Sequence, residues 1–93
     1  MEIKGKKVYT AEGKRHDGVF LRGTVYDCGK KEGAVVVVDV VRGDKARTML
    51  VQREKPGPEK QKFTVSSAKA YLKDFLKRLE EPPQSVEEEE LGG

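Results

Sequence analysis

The stretch "GAVVVVDVVRGDKARTMLV", Gly33 to Val51, constrains this chain more than any other, because positions 34–41 hold six valines. A half-buried strand alternates apolar and polar residues, since successive side chains point to opposite faces. This stretch barely alternates, so both of its faces need cover. β-Branched residues fit a pleated sheet, and 34–42 reads as a strand. Gly43-Asp44 suits the two-residue turn of a hairpin, and residues 45–54 return as its partner. Counting outwards pairs Val40 with Arg47, Val38 with Met49 and Val36 with Val51. One face then holds those residues, flanked by Arg42, Lys45 and Arg53. The other holds Val35, Val37 and Val41 with Ala46 and Leu50.

Leaving several valines wet would forfeit several kcal/mol at about 25 cal/mol per Å², comparable with the whole stability of a small domain. A C-terminal helix can cover one face. For the other, a second copy of the chain or closure into a small barrel is expected, and self-association to a homodimer is the favoured solution.

Other segments fit around this hairpin. Residues 3–10 read as a Lys-rich strand, 11–18 as a turn, and 19–28 as a second strand with a bulge or bend at Gly23. "KPGPEKQK" is a loop, and 63–65 a short edge strand. Ser66 or Ser67 is positioned to cap a helix over 67–81. Its apolar stripe is Ala68, Tyr71, Leu72, Phe75, Leu76 and Leu79, with Lys69, Lys73 and Lys77 in a row on another side. Pro82-Pro83 stops it. The expected fold is α+β: a curved antiparallel sheet of four to five strands followed by one C-terminal amphipathic helix. Residues 1–81 form a basic domain, and 82–93 are expected to be a disordered acidic tail.

Only 35% of the 93 residues are hydrophobic against 38% charged, which leaves little core for an internal active-site cavity. The Lys- and Glu-rich, Trp-free composition is thermophile-like. A single cysteine rules out an internal disulfide, and no metal-ligand spacing or phosphate loop is found. His16-Asp17 reads as a solvated pair in a turn, and Cys28 lacks a base partner. The chain is expected to be a non-enzyme without cofactor. The segment "MEIKGKKVYT" has no secretory signal pattern, and the longest apolar run is about a third of a bilayer span. A cytoplasmic location without membrane contact is therefore expected.

Net charge is +3, but Glu87 to Glu90 form one block, so the body preceding it carries about +7. A basic body suits a polyanion, and the acidic tail would compete for the same surface or recruit partners. On the second strand Phe20, Arg22, Thr24 and Tyr26 alternate with Val19, Leu21 and Val25. On the first, Lys7 and Tyr9 alternate with Lys6 and Val8. Rings interleaved with cations suit single-stranded nucleic acid, where bases stack and cations follow the backbone. Lys7, Tyr9, Arg22, Tyr26, Arg47 and Arg53 are the expected contacts to single-stranded DNA or RNA. A different class of function, a protein-interaction or structural subunit of a viral or archaeal assembly, would use the second valine face against another polypeptide.

At "KFTVSSAKAYLKDFLKRLEE" the element order, antiparallel strands and then one amphipathic helix, resembles the single-stranded DNA-binding modules of the positive-cofactor-four, Whirly and Pur-alpha families. The resemblance spans about residues 3–81 as element order, without a diagnostic motif. It implies a curved sheet on a C-terminal helix, dimers, and nucleic acid bound on the sheet.

Overall fold

The computed structural model describes residues 3–81, and the expected acidic tail lies outside them. Four strands, β1 (Lys6–Lys14), β2 (Phe20–Asp27), β3 (Ala34–Arg42) and β4 (Lys45–Gln52), precede one helix, α1 (Val65–Glu80). The strands form one antiparallel sheet in the order β1-β2-β3-β4, so each pairs with its neighbour in the chain. The fold is α+β, as expected.

The valine strand spans the residues read from the sequence, and the hairpin turns at Gly43-Asp44, with Arg42 opposite Lys45. Gly43 takes a positive φ of 64°, which a residue without Cβ adopts cheaply. Val40 pairs with Arg47 as counted, but a bulge then extrudes Met49. Beyond it Val38 meets Leu50 and Val36 meets Gln52. One extra residue inverts the faces of every position beyond the bulge. Leu50 therefore joins the core margin, while Met49 stands 42% exposed.

The helix covers the face carrying Leu21, Val25, Val36 and Val38, which pack with Phe63, Ala68, Leu72 and Leu76. On the opposite face Val35 is fully buried and Val37 is 7% exposed within the single chain. Val35 is opposite Tyr26, and Val37 lies between Thr24 and Val51. Of the valines on that second face, Val35 and Val37 are thus dry already and Val41 is half-buried, while Val36 and Val38 are in the core.

Three further differences have steric or capping causes. β1 starts and ends later than expected, running through Ala11 and Gly13 to Lys14. Those small residues, read as part of the turn, face α1, and Gly13 lies close beneath Leu76. Gly23 makes no bulge, since β2 and β3 pair without a break from Phe20 to Asp27. An added Cβ there would collide with Leu72 Cδ1 and stand 2.8 Å from Cδ2. Of the expected strand 63–65, Phe63 makes a single bridge to Ala34 while Val65 opens the helix. Thr64, not Ser66 or Ser67, is the N-cap: Ser67 N–H donates to Thr64 Oγ1 at 3.1 Å, and Thr64 N–H donates to Ser67 Oγ at 2.9 Å. This reciprocal pair satisfies backbone donors that the first turn leaves free.

Candidate nucleic-acid interface

The sheet face turned away from α1 is built by strict alternation along β2, which sets Phe20, Arg22, Thr24 and Tyr26 on one side. Cross-strand neighbours complete it. Lys7 lies opposite Tyr26, and Lys14 opposite Phe20. Phe20 is 59% exposed, and Lys14 Nζ sits 5.4 Å from its ring centroid. The ammonium is within cation–π reach of the ring face, and more than half of Phe20 still meets solvent. Arg22 stands between Glu12 on β1 and Asp39 on β3. Asp39 accepts a hydrogen bond from Thr48 Oγ1 at 2.8 Å, which fixes its carboxylate toward β4. Six residue steps separate Phe20 from Tyr26, about 20 Å along the strand. The face therefore offers two aromatic stations, with a cation beside each and Arg22 between them.

Of the six residues expected from the sequence, Lys7, Arg22 and Tyr26 share this face. Arg53 follows the end of β4 and lines a concavity of about 370 Å³ with Lys4, Cys28 and Glu32. Tyr9 does not join them. A bulge between Lys7 and Tyr9 sets Tyr9 opposite Val25, on the helix side, where it packs against the core. Lys69 and Lys73 place their ammonium groups 5.7 and 5.6 Å from its ring. Arg47 is opposite Val40 and so also lies on the helix side. Phe20 and Lys14, absent from the six expected contacts, belong to the face. The alternation that selected Tyr26 selects Phe20 equally.

His16 and Asp17 lie in the β1–β2 turn, but the carboxylate's main partner is Arg15. Arg15 Nε and Nη2 donate to the two oxygens of Asp17 at 2.9 and 2.7 Å. This bidentate pair, with a further bond from Val19 N–H, holds the Asp17 carboxyl at about 2, below its ordinary 3.8. Cys28 is a half-buried free thiol. Among the described residues no group of three or more His, Cys, Asp or Glu could hold a metal ion. No helix among them is long and apolar enough to cross a membrane.

No protein-family model, curated protein or solved structure matches the chain. The likeness to positive-cofactor-four, Whirly and Pur-alpha modules rests on element order alone.

Proposed function

We propose that the protein binds single-stranded nucleic acid, DNA or RNA, on the sheet face opposite α1, acting by binding and not by catalysis. Phe20 carries this reading: it is a large ring left in solvent, with Lys14 over it. A base stacks on such a ring whatever its sequence, and neighbouring cations take the phosphates. Lys7, Lys14, Arg22 and Arg53 are the cations for that role, and Phe20 and Tyr26 the rings. Tyr9 and Arg47, both turned to the other side, are not part of this set.

Titrating a fluorescent oligothymidylate at several salt concentrations tests it. Four phosphate contacts give a slope of log K against log salt near −3, at about −0.7 per contact. Phe20→Ala should weaken binding by about 1–3 kcal/mol, the contribution of one stacked base, while Tyr9→Ala leaves it unchanged. Absence of binding at low salt, both by the native chain and by one with Glu87 to Glu90 changed to glutamine, would overturn the reading.

The alternative, a protein-interaction or structural subunit, draws on Met49, which the bulge sets in solvent on the rim strand. A protein that ignores oligonucleotides yet runs as a homo-oligomer in native mass spectrometry would favour it.

A further inference from the structure

The helix covers only part of its side of the sheet. Its backbone comes close to β1, β2 and β3 and not to β4. On the strip left open, Val40 and Leu50 are half-buried at the core margin. Around Val40 stand Arg42, Lys45 and Arg47, all exposed, and with Val40 and Ala46 they line a concavity of about 470 Å³. Arg42 is opposite Lys45 and Arg47 opposite Val40, so alternation turns all three cations to the helix side. None of the three is ion-paired among the described residues.

An aliphatic floor ringed by cations that no described carboxylate pairs fits an occupant that joins carboxylates to aliphatic side chains. The sequence contains one: residues 86–91 read Val-Glu-Glu-Glu-Glu-Leu, outside the described residues. The end of α1 lies within reach of the concavity. Leu79 C=O accepts from His16 N–H at 2.9 Å, which places the last turn of α1 beside the β1–β2 turn. That turn and the β3–β4 hairpin are at the same end of the sheet. Crossing from β1 to β4 takes three strand spacings, about 14 Å. Six residues, from Glu81 to Glu87, extend up to about 20 Å.

We propose that residues 86–91 of the same chain dock in this concavity, their carboxylates on Arg42, Lys45 and Arg47 and Val86 or Leu91 against Val40 and Leu50. A short tether gives an effective concentration in the millimolar range, so weak contacts suffice. A second copy fits the strip less well, because an isologous contact centred there would bring two like-charged clusters together. This site lies on the face opposite the proposed oligonucleotide surface and does not depend on it.

Amide NMR spectra of the full chain test the proposal without any oligonucleotide. In about 25 mM salt, changing Glu87 to Glu90 to glutamine should shift the amides of Val40 to Arg47 and leave those of Lys7 and Phe20 to Tyr26 in place. Raising salt to about 500 mM should move the native peaks toward the variant's, since screening shortens to a few ångströms. In an Arg42→Gln, Lys45→Gln, Arg47→Gln background, the glutamate changes should shift nothing near the hairpin. The proposal is overturned if the native and glutamine spectra coincide at Val40 to Arg47. Shifts confined to the Phe20–Tyr26 face, or shifts that grow with protein concentration, overturn it as well, pointing to competition on that face or to a second copy.

Discussion

At Gly23 the Leu72 side chain of α1 lies so close to β2 that the contact leaves no room for a methyl group. Gly23→Ala should lower stability by about 1–3 kcal/mol, the usual cost of overpacking a filled core. Chemical denaturation measures it, and pairing the change with Leu72→Ala should give less than the sum of the two losses. An additive double mutant would show that the two residues do not meet. A glycine inside a strand pattern signals either an unusual backbone or a lack of space, and the letters alone do not separate these. Gly23 was therefore legible as special, and its role was not. The expected placements of residues on the sheet face split in the same way. Arg22 and Tyr26 followed from alternation on one unbroken strand. Tyr9 did not, because the bulge beside Val8 depends on β1 and β2 meeting, and no local residue announces it.

Elements with a strong period were the most readable. β3 matches its expected span because β-branched residues fill it, and α1 lies where its apolar stripe repeats at helical spacing, although it opens at Val65, before the expected start at residue 67. β1 extends past its expected end because Ala11-Glu12-Gly13 has the composition of a turn, although the helix above requires small side chains there. The β1–β2 connection is in fact held by Arg15 and Asp17, and its acid response follows from their geometry. Asp17 ionises more readily in the folded chain, at about 2, than at its ordinary 3.8. The pair's stabilisation is thus present above about pH 4 and disappears as pH falls through 2. Thermal melts should show a shallower acid decline between pH 4 and 2 for Asp17→Asn than for the native chain. Identical declines would mean that the pair does not hold the turn.

At the scale of the whole molecule, Leu72 belongs to the core that the described residues form between sheet and helix, and it is fully buried. Leu72→Ala should cost about 2–5 kcal/mol, a large share of the roughly 5–10 kcal/mol available to a domain of this size. Helical circular dichroism and β-sheet amide signals should then fade in a single transition at a lower midpoint. Helix loss ahead of the sheet would show that α1 is an accessory to a sheet stable without it. The α+β order of elements was readable from the sequence, but the cover on the second valine face was not. Val35 and Val37 are shielded by neighbours that only the register brings beside them.

The plain meander also bears on how the chain acquires its shape. With every strand joined to its predecessor by a short reversal, pairing can spread one hairpin at a time, with little chain to be gathered at each step. The late, distant step is the return of Lys69 and Lys73 to Tyr9 near the start of the chain. Until then the half-made sheet carries Lys6, Lys7 and Lys14 along one rim and Lys45 and Arg47 along the other. Those charges discourage two nascent chains from zipping edge to edge.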